Sequence, residues 1–286
     1  MKNKRITETD IDNIITESFL YKRLRLLAVN RFKYGGLEDL LIEERHVEKF
    51  LFDEGKCFWF NDPNYGVMCL PCQGVGVNVL NDPTRWRVTG FGYVKEIKAN
   101  DGVLMENNKL RMPTSEIVSY FVKQMYEVIR TRDVNVKTLK LPFIIATDDK
   151  RELTAKKILE MINDNTYAVV VNKNSLNLDD FIKVLNTGAK SFTTDLTDLY
   201  HDILNEALTY LGINNANTDK KERLITDEAN ANNQLIESCS EMFLESRRRA
   251  VDEINKKFGT NITVELRTTD EGGNGYEIKP IQELTT

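Results

Sequence analysis

One pair of cysteines in the chain has a spacing that could do chemistry. Cys69 and Cys72 flank Leu-Pro in the segment CLPC, and two further cysteines are Cys57 and Cys239. A structural zinc site normally takes its four ligands from two such pairs, and the sequence holds no second pair. A redox pair places its first thiol at a helix N-terminus, whereas YGVMCLPCQGVGVNVL predicts a strand, a proline turn and a strand. The pattern favours reduced structural cysteines, with a thiol-redox or metal-binding protein centred on Cys69 and Cys72 as the alternative.

Two short motifs come close to nucleotide-binding loops but lack residues that the chemistry needs. In NTGAKS at 186–191, Ala189 separates the glycine from the lysine, and no glycine lies five residues upstream of Gly188. GVGV at 74–77 lacks the third glycine and the following helix of a dinucleotide fingerprint. Two histidines, His46 and His201, and no G-x-S-x-G motif give no support to a nucleophile triad. The sequence predicts a protein that is not an enzyme, with no catalytic residues, cofactor or metal.

Composition and charge limit the classes of protein to which the chain can belong. The 286 residues are 41% hydrophobic and 29% charged, which is ordinary for a soluble protein, and no run approaches the ~18 apolar residues of a membrane span. The N-terminal MKNKRITETD has no apolar core, so we expect no signal peptide and synthesis in the cytoplasm. The net charge is −5 and the pI about 5.4, whereas domains that hold nucleic acid tightly usually lie above pI ~9.

The N-terminal segment departs from this acidic mean. Residues 1–33 contain eight basic and four acidic side chains. This pattern is typical of a solvated helix face with a loose tail, and it also fits an arm that binds nucleic acid or an acidic partner.

Periodicity predicts an α+β protein. A helix over 9–36 has Asp10 as N-cap and stops at Gly35-Gly36, and 47–112 is a β-rich segment with an antiparallel meander over 56–112. The helix has an apolar set at near-helical spacing: Ile11, Ile15, Phe19, Leu24, Leu27 and Ala28.

A second helix, over 113–133, opens at PTSE with Thr114 or Ser115 as its cap. Its apolar stripe is wide enough to pack on more than one side, so we expect it to contact a second subunit. The stripe consists of Ile117, Val118, Phe121, Val122, Met125, Val128 and Ile129. Residues 138–192 predict a small α/β unit: a strand in LKLPFIIAT, a helix in ELTAKKILEMI and a strand in TYAVVV.

The C-terminal third predicts two helices joined by a long polar segment. The first helix, 193–212, carries four carboxylates on one side: Asp195, Asp198, Asp202 and Glu206. At helical spacing these favour a solvated face over a metal site. A long helix over 233–258 follows, in a region 234–268 that ends in the edge strand NITVELR, and we expect the tail 269–286 to be flexible.

The connection 213–233 is unusual for a compact domain. Connections usually span about 4–6 residues, and longer ones tend to be functional or disordered. Between Asn214 and Asn233 only Leu224 and Ile225 carry sizeable apolar side chains. Residues 219–228 hold three basic and four acidic side chains, so the segment is nearly neutral.

This connection and the helix after it resemble portal proteins, the upper collar or head–tail connector proteins of small short-tailed phages of the Picovirinae type. The resemblance rests on LGINNANTDKKERLITDE, QLIES, FLESR and EINKKFG, and is close over about residues 205–266; elsewhere only the order of elements corresponds. It implies a portal-type subunit with long stem helices, a β-rich wing, a small α/β clip and a helical crown-side C-terminal region.

The resemblance assigns a role to each segment. It implies a basic N-terminal arm at 1–8, a stem or wing helix at 9–36, the wing at 47–112, a stem helix at 113–133 and the clip at 138–192. It further implies a channel-side helix at 193–212, a tunnel loop at 213–233 and a wing or crown helix and strand at 234–268.

The function implied is a ring, dodecameric in this family, at one capsid vertex, through which double-stranded DNA is packaged and ejected. The implied partners are the packaging ATPase, with a packaging RNA where one exists, the major capsid and scaffold proteins, and the lower collar and tail proteins, with no membrane. The implied location is the virion, after assembly in the host cytoplasm. A structural or interaction α+β protein without a channel is the remaining alternative.

Three sets of site residues follow from the resemblance. The tunnel loop would present Asn217, Lys220, Lys221, Arg223, Asp227 and Glu228 to DNA. The channel-facing acidic set is Asp195, Asp198, Asp202 and Glu206, and the arm for the motor or nucleic acid is Lys2, Lys4 and Arg5. A nearly neutral loop can touch DNA without trapping it, since each phosphate neutralised by a basic side chain tightens binding. The sequence departs from the family in having no lysine between Lys190 and Lys220, where related connectors carry channel-lining lysines.

Overall fold

The computed structural model describes residues 8–40, 42–140, 143–146, 183–186, 190–214 and 226–267. They divide into two compact units, one of residues 1–120 with 207–286 and one of residues 121–206. The helices are α1 (Glu8–Val29), α2 (Glu44–Glu54), α3 (Thr114–Lys140), α4 (Thr193–Tyr210) and α5 (Thr226–Phe258). The strands are β1 (Phe32–Gly35), β2 (Lys56–Asp62), β3 (Gly66–Leu70), β4 (Cys72–Val77), β5 (Pro83–Gly90), β6 (Tyr93–Lys98), β7 (Gly102–Glu106), β8 (Phe143–Ala146), β9 (Lys183–Asn186) and β10 (Thr263–Leu266). Helices combined with antiparallel strands confirm the α+β class.

The first unit is built around strand β2. It is the middle strand of the sheet β3-β2-β7, and both pairings are antiparallel. Cys57 and Trp59 belong to one apolar cluster, which also holds side chains of α2 and α5. Phe58 and Phe60 belong to a second cluster with residues of the neighbouring sheet β4-β5-β6. Because successive side chains of a strand point to opposite faces, burial on both faces explains why KCFWF is apolar without alternation.

The expected meander is partly wrong. The strands are antiparallel as predicted, but they form two three-stranded sheets, and β7 returns to pair with β2 instead of following β6. The segment 47–112 also opens on a helix, α2, which we did not predict. This helix buries Val47, Leu51 and Phe52 at helical spacing and ends at Gly55, which adopts φ 73°.

The first helix is shorter than the predicted 9–36. α1 ends at Val29, and Phe32–Gly35 is strand β1, paired antiparallel with β10. The buried side of the helix also differs from the predicted apolar set. Leu20, Leu24 and Ala28 are buried, while Ile15 and Phe19 are 60% and 63% exposed. The buried side is the one that packs on α2, where Arg25 pairs with Asp53 at 2.8 Å.

Helix α3 begins at Thr114, as predicted from PTSE, but continues to Lys140. Its apolar stripe is buried within the single chain: Phe121, Val122 and Met125 are 5%, 2% and 1% exposed. The expectation that this stripe contacts a second subunit is therefore wrong, since these side chains already lie in the subunit core.

The second unit contains the antiparallel pair β8 and β9. β8 confirms the strand predicted in LKLPFIIAT, and β9 was not predicted. The expected helix ELTAKKILEMI and strand TYAVVV lie outside the described residues. Within the described ranges, no helix is long and apolar enough to span a bilayer.

Candidate functional site

The C-terminus of α4 is closed by main-chain hydrogen bonds. Gly212 N–H donates to Thr209 O and Ile213 N–H donates to Leu208 O, both at 2.9 Å. These two bonds form a Schellman motif, in which the glycine adopts φ 68°. A Cβ at Gly212 would lie 2.6 Å from backbone atoms of Ser240, so α5 passes directly against this turn. The end of α4 is thereby held on α5.

A buried arginine fastens the same turn to the start of β1. Arg31 Nη1 donates to Leu211 O at 2.6 Å, and its Nε donates to Ala28 O at 2.9 Å. Its guanidinium lies over the rings of Phe243 and Phe32, at 4.5 and 5.1 Å from their centroids. Burial, together with repulsion from a neighbouring arginine, lowers the pKa of Arg31 to about 9, so the side chain stays charged at neutral pH.

That neighbour is Arg247 on α5, which is fully buried and paired with Glu48 on α2. The pair is bidentate: Nε and Nη2 of Arg247 donate to the two carboxylate oxygens at 2.7 and 2.8 Å. The Tyr34 hydroxyl on β1 donates to the same carboxylate at 2.6 Å, and Asn107 Oδ1 accepts from Arg247 Nη2 at 3.1 Å. Arg247 also stacks over Phe32, 4.1 Å from its centroid.

The charges of this cluster compensate one another. Burial acts to lower the pKa of Arg247, but Glu48 and Tyr34 more than offset it and raise the pKa above its usual value. Burial and the adjacent Glu48 raise the pKa of Tyr34, which stays protonated and can donate. We call Arg31, Tyr34, Glu48, Gly212 and Arg247 the anchor, since they join α1, β1, α2, α4 and α5.

The anchor lies at the root of the polar connection. Residues 213 and 214 leave from the turn at Gly212, and α5 begins again at Thr226. The turn that precedes residues 215–225 therefore packs against α5 and is hydrogen-bonded to Arg31, just before β1.

The acidic side of α4 faces away from its buried side. Asp195, Asp198, Asp202 and Glu206 are all exposed, whereas Ile203, Leu204 and Ala207 are at most 9% exposed. The predicted segregation of charge on this helix is confirmed. What the four carboxylates face in an assembly stays a prediction.

The other predicted site residues are placed only in part. Lys2, Lys4 and Arg5 lie outside the described residues, as do Asn217, Lys220, Lys221 and Arg223. Asp227 and Glu228 belong to the first turn of α5 and not to a loop, so the expected loop boundary at 233 is wrong. Acidic residues stabilise the positive end of a helix, which explains the earlier start.

Sequence reasoning missed the anchor, although two signals were present. Arg247 occupies an inward helical position among Phe243, Leu244, Ala250, Val251 and Ile254, and an arginine there indicates a buried partner. Gly212 directly follows an apolar helical stripe, which is the C-cap signature. The identity of the partner Glu48, 199 positions away, is not encoded locally.

The cysteine pair offers no activated thiol. Cys57, Cys69 and Cys72 are all buried, and burial raises the pKa of Cys72 to about 12 and that of Cys69 well above its usual value. Protonated thiols are poor nucleophiles and poor metal ligands. Among the described residues, no three His, Cys, Asp or Glu side chains converge as metal ligands.

Comparison with known proteins identifies the family. The family model described as Phage Connector (GP10) matches residues 5–270, nearly the whole chain. The chain belongs to this family. The portal protein of Staphylococcus phage 44AHJD is 22% identical over 161 residues, which make up 56% of this chain. The match spans 64% of the length of that curated relative.

Two solved structures match this chain at low sequence identity. The portal and tail of native bacteriophage P68 match at 16% identity and a TM-score of 0.49, covering 94% of each chain. An HK97-family phage portal protein from Corynebacterium diphtheriae matches at 9% identity and a TM-score of 0.46, covering 92% of this chain and 95% of the other. At these values neither structure assigns a role to a residue of this chain.

Proposed function

We propose that the protein is the subunit of a phage head–tail connector, a ring at one capsid vertex through which double-stranded DNA is packaged and later ejected. The observation that carries this proposal is the connector-family match over residues 5–270. The protein acts as a structural part of the virion and not as an enzyme, and it is assembled in the host cytoplasm. The thiol-redox alternative is not favoured, because the cysteines of CLPC are buried with raised pKa values.

The finer assignment follows the resemblance over 205–266. The subunit belongs to a connector of the Picovirinae type and forms a dodecameric ring. Its α3 is a stem helix, its paired three-stranded sheets form the wing, and β8 and β9 belong to the clip. The C-terminal α5 and β10 form the wing or crown region.

The channel wall is formed by the acidic side of α4. Four exposed carboxylates from each subunit repel the duplex and keep it away from the wall, so it can move without being trapped. The connection that follows α4 touches the passing DNA. Support for this arrangement comes from the anchor, because it holds the turn that precedes the DNA-contacting segment against α5 and the start of β1.

The remaining surfaces serve the other partners. The arm with Lys2, Lys4 and Arg5 meets the packaging ATPase, and a packaging RNA where the phage has one. The wing contacts the major capsid and scaffold proteins, and the clip receives the lower collar and tail proteins.

The oligomeric state of the purified full chain tests the proposal. Native mass spectrometry and negative-stain images at micromolar concentration should show closed rings whose mass is a multiple of 33.0 kDa. A stable 33.0 kDa species with no rings would overturn the proposal and favour an α+β protein without a channel.

A further inference from the structure

Helix α1 carries large apolar side chains on its exposed side. Ile15, Phe19 and Leu26 are 60%, 63% and 63% exposed, and the exposed Lys22 stands between the last two. The four residues follow the i, i+4, i+7, i+11 spacing of one helix face, opposite the buried side of α1. We call Ile15, Phe19, Lys22 and Leu26 the outer face. A contiguous apolar face in solvent marks an interaction site.

Strand β10 ends beside this helix. The main-chain N–H of Arg267 donates to Arg31 O at 2.8 Å, and its Nε donates to Asn30 O at 3.2 Å. Asn30 in turn closes the last turn of α1, since its main-chain N–H donates to Leu26 O at 3.2 Å. Residues 268–286 therefore leave from the end of α1 that carries Leu26.

These residues supply an apolar segment with a charge opposite to that of Lys22. The segment is YEIKPIQEL at 276–284, and its large apolar side chains are Tyr276, Ile278, Ile281 and Leu284. Residues 268–286 contain four acidic side chains and one basic, and no described acidic side chain pairs with Lys22. Opposite charges around an apolar contact orient the two partners.

The length of the chain after Arg267 fits the outer face. From Leu26 back to Ile15 the face is about 17 Å long. Residues 268–275 can span up to about 26 Å, and their Gly-Gly-Asn-Gly stretch permits a sharp reversal. A segment on so short a tether has an effective concentration on the order of millimolar, well above that of a separate partner.

Two other arrangements are disfavoured by charge. A pocket of about 450 Å³ beside β1 also offers apolar surface, but its lining holds three glutamates and no basic side chain. Its exposed Glu38 would repel an acidic segment. Pairing of two α1 helices through their outer faces would bring two Lys22 side chains together, and like charges oppose such a contact.

We propose that residues 276–284 pack on the outer face of α1 in the same chain. The segment runs antiparallel to the helix, with Ile281 near Phe19 and the acidic side chains of the tail around Lys22. The contact shields an apolar face of the free subunit from other chains. The segment lies outside the family match, which ends at residue 270, and the inference does not depend on the proposed ring.

Disulfide cross-linking in the full chain gives the first test, in a Cys239→Ser background. Phe19→Cys with Ile281→Cys should form a disulfide within one chain under mild oxidation, identified by peptide mapping at the mass of a single chain. The control, Glu38→Cys with Ile281→Cys, places the partner thiol at the pocket and should link about tenfold more slowly. Faster linking at Glu38, links only between chains, or no link at Phe19 would overturn the proposal.

Charge reversal in the cross-linking chain gives the second test. Lys22→Glu should slow the link between positions 19 and 281 about threefold at low salt, because an exposed attraction becomes a repulsion. Lys49→Glu makes the same change in charge at an exposed position of α2 and should leave the rate unchanged. Equal rates in the two variants would overturn the charge contact that selects the tail. Both tests measure a contact within one chain, so a failure to form rings would contradict the proposed function and leave this inference standing.

Discussion

At the scale of single residues, Arg247 and Glu48 form an ion pair that is buried in the subunit core. Their side chains are 1% and 3% exposed, and every polar atom of the pair faces a partner of suitable geometry. Such a pair contributes little net stability over an apolar substitute, but leaving either charge alone is costly. The pair joins α5 to α2 and, through the Tyr34 hydroxyl, to β1.

A double-mutant cycle measures this coupling. Arg247→Met alone leaves the Glu48 carboxylate buried without its main partner, so we expect a loss of about 3–5 kcal/mol in the free energy of unfolding. Glu48→Leu should cost a similar amount, and the double variant clearly less than the sum. Arg248→Met is the control, because that side chain is 53% exposed and its change should stay within about 0.5 kcal/mol. Urea unfolding at one protein concentration provides the values, and additive losses would contradict the coupling.

Asp62 gives a prediction that depends on pH. Its carboxylate accepts from the Tyr93 hydroxyl at 2.7 Å, from Asn64 N–H at 3.0 Å and from Lys95 Nζ at 2.9 Å. These donors lower the pKa of Asp62 well below its usual range. The stabilisation is therefore complete above the unfolded-state pKa of about 4 and is lost as pH falls toward the folded-state pKa.

Replacing the carboxylate should remove that dependence. We expect Asp62→Asn to lower the urea midpoint at pH 7, and the gap between wild type and variant to shrink as the pH falls below about 4. Unfolding at pH 7, 5 and 3 measures the gap. A gap that stays constant over this range would show that the ionised carboxylate is not what stabilises the fold.

At the scale of elements, the junction between α4 and α5 decides how the polar connection is held. α4 ends in a glycine turn that touches α5 at Ser240, and Arg31 binds the carbonyl of Leu211 from the other side. Neither helix could shift along the other without breaking this turn.

A pair of glycine substitutions separates backbone strain from this contact. Gly212→Ala forces a side chain into φ 68° and places its Cβ 2.6 Å from Ser240. Gly259→Ala imposes φ 70° with no atom within 4 Å of the new Cβ. Gly259→Ala is the control, and we expect it to lower the free energy of unfolding by about 1–2 kcal/mol. Gly212→Ala should lower it clearly more, and urea unfolding measures both. Equal losses would mean that the approach to Ser240 is not tight.

At the scale of the whole molecule, charge distribution matters more than the net value of −5. The acidic residues of α4 are collected on one exposed side, and under the proposed function each ring repeats that side around the DNA. Repulsion between this wall and the phosphates weakens with salt, because mobile ions screen exposed charges.

Neutralising the wall should therefore make rings hold DNA. The test variant combines Asp195→Asn, Asp198→Asn, Asp202→Asn and Glu206→Gln. We expect rings to form as before, and DNA to be retained more strongly at low salt than at high salt. The control makes the same change in charge at four exposed acidic residues elsewhere, Glu17, Glu127, Glu237 and Glu253. Retention that matches the control in a DNA co-sedimentation assay would argue against a channel-facing wall.

Replacing the connection tests the gripping role. A Gly/Ser linker of equal length in place of residues 216–225 keeps the start of α5 at Thr226. We expect rings to assemble and DNA to enter heads, but the genome to slip back after packaging stops, measured as the genome content of purified particles. Lys220→Gln, Lys221→Gln and Arg223→Gln together should give a milder, salt-sensitive loss. Full, stable heads would refute gripping, and failure to form rings would make the segment structural.

Local sequence alone determined several features of this protein. The PTSE segment predicted a helix start at this point, and α3 begins at Thr114, because an acidic residue in the first turn, Glu116, stabilises the positive end of a helix. Apolar runs bounded by Asn-Asp-Pro turns predicted strands between 56 and 106 for the same local reason. The polar segment before α5 carried the portal resemblance that the family match then confirmed.

Tertiary structure decided what these elements pack against. β1 became a strand instead of the end of α1 because β10, more than 200 residues away, supplies its hydrogen-bonding partner. The α3 stripe proved to be subunit core, and Arg247 met Glu48 across 199 positions. A periodic pattern shows which face of an element is apolar. It does not show the partner, because an apolar face can pack against any apolar surface and a buried charge can pair with any opposite charge. Only the folded chain selects which surface that is.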